Sequence, residues 1–323
     1  MRASRAILAA AFVAAALLLV LGILVWRDPY RVVRADYVRQ RLAAGLSTAR
    51  VEVGDHRWVY AYSDAAPGDA PTVVMLHGFT GSKENWYPLA KRLRKQYRLL
   101  IPDLPGWGES LRRSGADYGF VAQSARIAQF IEQVAGDRSV VLLGHSMGGG
   151  IAALTAARHP REVARLGLLD AAGVRFKDNR FGEQVLAGGN PFAVSDPASL
   201  QSYLDTVFFD ARAKPWIPWP VDGIYIARRR RDAAFEQAVL DKIGRSDERF
   251  LPGDESVAIR QPTLLLWCRQ DAVIDASALD LYAQKIPQAS RVLLNGCGHM
   301  SLMEQPGAVA QAVTMLIERG QPR

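Results

Sequence analysis

The chain of 323 residues has few of the residue types that build cross-linked or metal-bound cores. Its only two cysteines, Cys268 and Cys297, are too few for a disulfide framework. Both follow predicted neighbouring strands, so the sequence allows a bond between them, but two small buried thiols are favoured. The five histidines show no paired ligand spacing, and we therefore expect no metal ion and no other cofactor.

The sequence also lacks internal repeats, low-complexity tracts and any recognised nucleic-acid-binding motif. The formal net charge is +8, but the basic residues are scattered along the chain. This pattern argues against a nucleic-acid partner. It agrees with a partner that has an anionic surface, such as a lipid bilayer.

One long uncharged segment is present near the N-terminus, from Ala6 to Trp26. As a helix it would span about 31 Å, which matches the roughly 30 Å hydrocarbon core of a bilayer. A cleaved signal peptide is the alternative, because Arg2 and Arg5 precede the segment. The apolar run is longer than a usual signal core, however, and no clear cleavage site follows it. We therefore predict a single transmembrane helix.

The chain after this segment is predicted to begin with a second helix. Asp28 and Pro29 are typical of a helix start, as cap and first residue. One face of this predicted helix would contain Tyr30, Val33, Tyr37 and Ala44, and several arginines surround that face. A helix lying on anionic headgroups and a solvated linker helix both fit this pattern.

Beyond residue 50, strand and helix patterns alternate, which predicts a parallel α/β sheet entered by a hairpin around Gly54-Asp55. Helices are expected near Lys83–Gln96 and Tyr118–Ala135. The alternation stops for about 90 residues after Asp170. Because a structureless loop of that length is rare in a compact domain, we predict an inserted, mostly helical cap. For its run Arg228–Arg231, a solvated helix face is favoured over a lipid-headgroup contact.

Ser146 lies in the sequence Gly144-His145-Ser146-Met147-Gly148, between an apolar run and a segment that can form a helix. This spacing predicts a tight strand-turn-helix that exposes the serine hydroxyl at its apex. The dipole of the following helix would point its positive end at the same position. A serine placed in this way is typical of nucleophiles for acyl transfer.

Other polar residues follow other predicted strands. His77-Gly78-Phe79 follows the strand beginning at Thr72, Asp271 follows the strand beginning at Thr263, and His299 follows the strand beginning at Arg291. The carboxyl ends of parallel strands meet at one edge of a sheet, where such folds have their active sites. The order Ser146, Asp271, His299 therefore predicts a catalytic triad.

With these motifs, the chain resembles the alpha/beta-hydrolase superfamily over about residues 50 to 320. It is most similar to monoacylglycerol lipases and bacterial membrane-anchored phospholipases A. The resemblance rests on the loop at His77, the segments Asp103–Gly108 and Gly144–Gly149, and Cys297-Gly298-His299. One departure is Cys268, where relatives commonly have glycine.

The resemblance implies an α/β fold with an alpha/beta-hydrolase sheet, an inserted helical cap that forms the acyl pocket, and an N-terminal transmembrane helix. The corresponding units are an anchor with a juxtamembrane helix (residues 1–48), two parts of the hydrolase core (49–172 and 259–323) and the cap (173–258). The charge rule alone would place the enzyme in the cytoplasm. The short N-terminal tail and the resemblance favour an inner-membrane protein with a periplasmic catalytic domain. The oligomeric state stays open, and a dimer is compatible with the sequence.

Each predicted site residue has an assigned role. His299 would take the proton of Ser146, and Asp271 would orient the imidazole. Asp170 and the weaker candidate Asp275 are rivals for the acid. The backbone amides of Phe79 and Met147 would stabilise the oxyanion, whereas His77 and His145 are expected to pack loops.

The predicted function is a membrane-anchored serine hydrolase that cleaves acyl esters of monoacylglycerols, lysophospholipids or phospholipids. A carbon–carbon bond hydrolase with a serine triad is one alternative, although a membrane anchor does not suit its soluble substrates. A noncatalytic scaffold with the hydrolase fold is another, although every triad position is filled.

Overall fold

A computed structural model describes residues 2–136 and 138–318, so the first residue of the predicted anchor unit, Asp137 of the core and the last five residues of the predicted fourth unit lie outside the described part. The described part contains one eight-stranded sheet in the order β1-β2-β4-β3-β5-β6-β7-β8. The strands are β1 (Ser47–Val53), β2 (His56–Ser63), β3 (Thr72–Leu76), β4 (Arg98–Pro102), β5 (Val140–His145), β6 (Val163–Leu169), β7 (Thr263–Cys268) and β8 (Ser290–Leu294).

Helices of different lengths precede, connect or follow these strands. They are α1 (Arg2–Arg27), α2 (Arg31–Ala43), α3 (Tyr87–Leu93), α4 (Phe120–Ala135), α5 (Met147–Arg158), α6 (Arg180–Leu186), α7 (Pro197–Val207), α8 (Val221–Arg245), α9 (Leu251–Glu255), α10 (Ser277–Lys285), α11 (Ser301–Glu304) and α12 (Pro306–Glu318). Short 3-10 turns cover Lys83–Trp86, Asp247–Phe250 and Ser256–Ala258.

The sheet is antiparallel at one edge and parallel over the rest. The hairpin of β1 and β2 pairs Ser47 with Tyr62 through Val53 with His56, and β2 pairs antiparallel with β4. All pairs from β4 to β8 are parallel. This agrees with the predicted hairpin followed by strand-helix alternation, and it brings the carboxyl ends of β3, β5, β6, β7 and β8 to one edge.

Both faces of the sheet are covered, as the continuous apolar strands require. All five residues of β3 are buried, and they alternate between two cores. Val74 and Leu76 pack into one core with α4 and α5, whereas Val73 and Met75 pack into the other with α3 and α12. The parallel strands are thereby held rigidly, and so are the loops that follow them.

The chain between β6 and β7 (residues 170–262), which we call the inserted segment, contains no strand among its described residues. It forms α6 to α9, with buried apolar residues that pack into the same core as α4 and α5. In the run Arg228–Arg231, Arg230 and Arg231 are exposed, but Arg228 is only partly exposed and Arg229 is buried. The prediction of a solvated face is therefore wrong for the first two arginines.

The N-terminal part forms α1 and α2, which are separated by a short turn. Within the residues that the structure describes, no helix has the length and the apolar content required to span a bilayer, so the predicted transmembrane helix is not confirmed. Large apolar side chains of α1 are exposed, among them Phe12, Leu19 and Trp26.

Two local helix predictions are corrected. Asp28 does not cap α2, because the cap position is Tyr30 and the Asp28 carboxylate instead accepts a hydrogen bond from Arg34. The predicted helix Lys83–Gln96 is a 3-10 turn followed by the shorter α3. Its first turn is held by Asn85, whose side chain accepts a hydrogen bond from the N–H of Ser82.

Candidate active site

Ser146 occupies the turn between β5 and α5 with φ 55° and ψ −121°, a backbone conformation that non-glycine residues rarely adopt. The flanking glycines are required for this turn. A Cβ at Gly144 would lie 2.1 Å from the carbonyl oxygen of Gly148, and a Cβ at Gly148 would lie 2.4 Å from that of Leu76. The strain stored at Ser146 holds its hydroxyl at the carboxyl edge of the sheet.

His299 and Asp271 form a hydrogen-bonded pair on the loops after β8 and β7. The distance between His299 Nδ1 and Asp271 Oδ2 is 2.8 Å, and both side chains are buried. The other carboxylate oxygen of Asp271 accepts hydrogen bonds from the backbone N–H groups of Val273 and Ile274, at 2.8 and 3.0 Å. With the Nδ1 proton directed at Asp271, Nε2 is left as the proton acceptor. His299 and Ser146 line the same cavity.

The rival acids are placed differently. Asp170 is fully buried at the end of β6, has φ 46°, and accepts a hydrogen bond from the N–H of Cys268 at 2.9 Å. No hydrogen bond between Asp170 and His299 occurs among the described residues. Asp275 accepts a hydrogen bond from the N–H of Ser277, near the start of α10. The acid in contact with His299 is thus Asp271.

Burial disfavours the charged forms of both partners. Burial lowers the pKa of His299 to about 3, so the imidazole is neutral near neutral pH and Nε2 has a free lone pair. Burial raises the pKa of Asp271, and the N–H groups of Val273 and Ile274 oppose this effect. Burial also raises the pKa of Asp170 well above its usual range, and the neighbouring Asp271 raises it further.

His77 and His145 hold loops around the site. His77 Nε2 accepts a hydrogen bond from the N–H of Leu104 at 3.0 Å, and its Nδ1 lies 2.8 Å from the carbonyl oxygen of Gly78. His145 Nε2 lies 2.7 Å from the carbonyl oxygen of His299. Burial lowers the pKa of His77 to about 4 and that of His145 to about 3. Both rings are therefore neutral, and their hydrogen bonds hold the loops around the site.

The two predicted oxyanion donors flank Ser146. Met147 is the first residue of α5, where a backbone N–H has no intrahelical acceptor. The N–H of Phe79 donates to no acceptor within the described part of the chain. Its loop is close to the serine, since a Cβ at Gly78 would lie 3.0 Å from Ser146 Cβ. The arrangement leaves two amides available beside the nucleophile.

A disulfide joins Cys268 at the end of β7 to Cys297, two residues before His299. The preference for two free thiols was therefore wrong. The strands β7 and β8 are direct neighbours. The Cα atoms of the two cysteines lie 5.4 Å apart, which suits a disulfide. The bond links the loop that carries Asp271 to the loop that carries His299.

Glu304 is a positioning residue that sequence reasoning missed. Its Oε1 accepts a hydrogen bond from the N–H of Gly298 at 2.9 Å. Its Oε2 accepts from the N–H groups of Phe209 and Asp210, at 3.0 and 2.7 Å. One carboxylate thus ties the loop of His299 to the inserted segment. No sequence signal marks it, because two of its three partners lie 95 and 94 residues away along the chain.

A buried ion cluster beside the site was also missed. Lys83 Nζ contacts Asp103 and Glu109 at 2.8 Å and Glu84 at 3.0 Å. Burial alone would lower the pKa of Lys83, but the Asp103 and Glu84 carboxylates outweigh it and raise that pKa above its usual range. In the sequence, only the motif Asp103–Gly108 points to this cluster. Its glycine is needed beside Asp103, because a Cβ at Gly108 would lie 2.2 Å from Asp103 Cγ.

Two cavities meet at Ser146. The first, which we call the polar cavity, has a volume of about 470 Å³ and contains His299 and several charged side chains in its wall. The second, the apolar cavity, measures about 340 Å³ and is lined mainly by side chains such as Val174, Phe181 and Leu240. Phe79 and Phe192, like Ser146, border both cavities. The serine can thus reach a molecule that extends into both.

The comparisons with known proteins agree with this architecture. A family model described as the alpha/beta hydrolase fold matches residues 71–306, which include Ser146, Asp271 and His299. The chain belongs to the alpha/beta-hydrolase family. The predicted resemblance to lipases and phospholipases of this family is also confirmed, as the next three relatives show.

This alpha/beta hydrolase is 30% identical to the monoacylglycerol lipase ABHD6 of Rattus norvegicus, over 91% of the chain and 88% of the relative. It is 29% identical to Lipase 3 of Moraxella sp. strain TA144, over 83% of each chain. Among solved structures, a membrane phospholipase A described as a bacterial virulence factor is 32% identical, with a TM-score of 0.84. That similarity covers 96% of this chain and 99% of the other.

Proposed function

We propose that this carboxylic ester hydrolase cleaves acyl esters of lipids through an acyl-enzyme formed on Ser146. The observation that carries the proposal is the position of Ser146 at the junction of the two cavities, with the His299–Asp271 pair in the wall of one of them. An ester carbonyl at the junction would have an acyl chain on one side and the alcohol part on the other.

The residues suggest the following steps. His299 Nε2 accepts the Ser146 proton while Oγ attacks the ester carbon, and the N–H groups of Phe79 and Met147 stabilise the oxyanion. The carbon–oxygen bond to the alcohol breaks, and His299 donates the proton to the departing alkoxide. A water molecule, deprotonated by His299, then attacks the acyl carbon. The bond between this carbon and Ser146 Oγ breaks, His299 returns the proton to Oγ, and the fatty acid is released. Asp271 orients the imidazole and stabilises its charged form during both transfers.

The substrate class follows from the apolar cavity and from the relatives. A cavity of about 340 Å³ lined by apolar side chains suits a hydrocarbon chain better than a polar group. The relatives are named as monoacylglycerol lipase, lipase and phospholipase A. Monoacylglycerols, lysophospholipids and phospholipids are accordingly the proposed substrates. The inserted segment, whose helices contribute Phe181 and Leu240, acts as the cap over the acyl chain.

We further propose that α1 anchors the enzyme in the bilayer. Its uncharged run and its exposed Phe12, Leu19 and Trp26 would be covered by lipid. The similarity to a membrane phospholipase A supports this proposal. The disulfide supports a catalytic domain on the oxidising, periplasmic side of an inner membrane, because such bonds rarely persist in a reducing cytoplasm.

The hydrolase mechanism is tested with Ser146→Ala. The variant should fold, lose labelling by a fluorophosphonate probe and lose about 10⁶ in kcat on p-nitrophenyl butyrate and on a monoacylglycerol. Circular dichroism controls for folding. An unchanged rate in a folded variant would rule out the serine mechanism, and absent labelling of the unmodified protein would favour a noncatalytic scaffold.

The anchor is tested by washing membranes that contain the full-length protein. The protein should resist extraction by high salt and by alkaline carbonate, because burial of the α1 side chains does not depend on charge. N-terminal sequencing provides the control. Release by salt alone would show a surface contact, and a mature N-terminus after Trp26 would show a signal peptide.

A further inference from the structure

The polar cavity has an excess of positive charge. Seven arginine or lysine side chains and four carboxylates line it. They come from α2, β1, β2, the 3-10 turn after β3, the loop after β4 and α8, so tertiary packing brings together charges from separate parts of the sequence. The apolar cavity has fewer charged residues in its wall, namely Arg175, Asp178 and Arg249.

Most of these charges neutralise one another. Lys83 contacts Glu84 and Glu109, while Arg112 and Arg228 both contact Asp232 at 2.8 Å. The remaining lining carboxylate, Glu236, is bound by Arg229 at 2.9 Å. Every carboxylate of the cavity wall thus contacts a cation, although Glu84 and Glu109 share Lys83 with Asp103.

Three further arginines complete the wall. Arg34 is paired with Asp28. Arg50 and Arg57 make no direct ion pair with a carboxylate within the described ranges, 2–136 and 138–318. Glu52 stands opposite Arg57 in the hairpin, and Arg50 acts on Glu109 only at longer range. We call these two the rim arginines, Arg50 and Arg57.

The fold presents the rim arginines together. Arg50 on β1 pairs with Val59 on β2, and Arg57 is two residues from Val59, so both arginine side chains lie on the same face of the hairpin. Both are exposed, which places them at the mouth of the cavity. Burial opposes ionisation of Glu109, but Lys83, Arg50 and Arg34 together hold the pKa of Glu109 below its usual range.

We propose that the polar cavity binds the phosphate of a lipid headgroup through Arg50 and Arg57, while the apolar cavity holds the acyl chain. This proposal rests on the proposed ester hydrolase and deepens it, because it assigns a preference for lysophospholipids over neutral monoacylglycerols. A guanidinium presents several N–H donors in a plane, which suits the oxygens of a phosphate. An uncharged glycerol headgroup gains little from the same wall.

Tyr30 and Tyr37, whose side chains are hydrogen-bonded to each other, also line this cavity. They come from α2, the helix that follows the proposed anchor. Hydroxyl donors beside guanidinium groups are typical of phosphate sites. A phosphate bound here would therefore contact the hairpin and the helix nearest the membrane.

The test compares two lipids that differ only in the headgroup, 1-palmitoyl lysophosphatidylglycerol and 1-palmitoylglycerol, in neutral detergent micelles. The full-length Arg50→Gln/Arg57→Gln variant is compared with Arg230→Gln/Arg231→Gln. The control removes the same charge from exposed positions of α8 that do not line the cavity. The ratio of kcat/KM for the two lipids is measured for each protein.

We expect the rim variant to lower the ratio of lysophosphatidylglycerol to monoacylglycerol by about tenfold, mainly through KM, because charge-assisted hydrogen bonds to phosphate are lost. The control should change the ratio by less than about twofold. An unchanged ratio in the rim variant, or an equal fall in the control, would overturn the headgroup site.

A second arm separates a lipid headgroup from a free phosphate ester. The inhibitor sn-glycerol 3-phosphate is added to the hydrolysis of p-nitrophenyl butyrate. If the rim variant relieves this inhibition while its lipid ratio is unchanged, the cavity binds soluble phosphate esters and the lipid assignment is wrong.

Binding without turnover separates the two proposals. In the Ser146→Ala background, the rim substitutions should weaken binding of lysophosphatidylglycerol about tenfold more than binding of the monoacylglycerol. Failure of the hydrolase proposal would appear as no hydrolysis of any ester by the unmodified enzyme, with this difference in binding preserved. Failure of the headgroup site alone would leave hydrolysis intact and abolish the difference.

Discussion

The loops that carry Asp271 and His299 are buried and cross-linked, whereas the surfaces around the mouth of the polar cavity are exposed and joined by surface ion pairs. A disulfide, the carboxylate of Glu304 and the contact from His145 hold the first region. In the second region, Arg34 pairs with a partly exposed Asp28, and the exposed Arg50 makes no direct ion pair among the described residues.

The buried loops and the exposed mouth of the cavity serve different tasks. Buried hydrogen bonds in a low-dielectric environment fix geometry, which proton transfer between Ser146 and His299 requires. Exposed ion pairs contribute little to stability and can rearrange when a lipid arrives. The molecule thus combines a rigid reacting centre with an adaptable opening, and the substitutions below test each region separately.

The largest effect is expected at the acid. Asp271→Asn should lower kcat on p-nitrophenyl butyrate by about 10⁴, because the amide cannot hold the required imidazole tautomer. Asp170→Asn should lower kcat far less, since Asp170 makes no hydrogen bond to His299 in the described structure. Steady-state kinetics on folded variants measures both.

The two aspartates also provide their own control. Both are buried at the ends of neighbouring strands, so the stability cost of the two substitutions should be similar. If Asp170→Asn were the more damaging change in a protein that retains its circular dichroism spectrum, the assignment of the acid would be wrong.

The next largest effect is expected when the disulfide of the rigid region is broken. Its reduction should destabilise the folded state by about 3 to 4 kcal/mol, as expected for a closed loop of 29 residues. Thermal unfolding in detergent micelles should shift down by roughly 5 to 10 °C. The hydrolytic rate should fall as well, because the bond joins the loops of Asp271 and His299.

The matched control is Cys268→Ala/Cys297→Ala. Its unfolding temperature should not respond to the reductant, which would show that the reductant acts through this bond. A reductant-insensitive unmodified protein would instead show that the two thiols are free in solution.

Much of the reacting centre could be predicted from the sequence because its positions follow strands. Parallel strands end at one edge, so Ser146, Asp271 and His299 could be grouped without knowledge of packing. The acid itself could not be settled in this way, because Asp170 also ends a strand. The choice depends on which carboxylate faces the imidazole, and only side-chain geometry shows that.

The contacts around the mouth of the polar cavity could be predicted less well from the sequence. Arg228 and Arg229 stand in a run that looks like a solvated face, yet tertiary packing turns both toward the polar cavity. Glu304 has no local signal, because it acts on Phe209 and Asp210 of the inserted segment. Contacts between distant segments leave no periodic pattern in either segment.

The smallest expected effect concerns two tryptophans of the opening. Trp216 and Trp219 are 85% and 86% exposed, in a proline-flanked loop of residues 215–220. Trp216 borders a surface pocket together with Val32 and Val33 of α2, so the loop lies beside the helix nearest the proposed anchor. Tryptophan is enriched at membrane interfaces, where its ring contacts lipid and its N–H stays hydrated.

We therefore expect Trp216→Phe/Trp219→Phe to reduce the quenching of tryptophan fluorescence by brominated phospholipids in reconstituted vesicles. Trp216→Ala/Trp219→Ala should lower turnover of vesicle lipids by only about threefold, because the proposed anchor α1 would still keep the enzyme at the bilayer. Hydrolysis of p-nitrophenyl butyrate should change less, since the loop does not line either cavity at Ser146. Trp26→Phe is the matched control for quenching from α1. Quenching that disappears in this control alone would show that the loop faces water, and the opening would then contact the membrane through its N-terminal helices only.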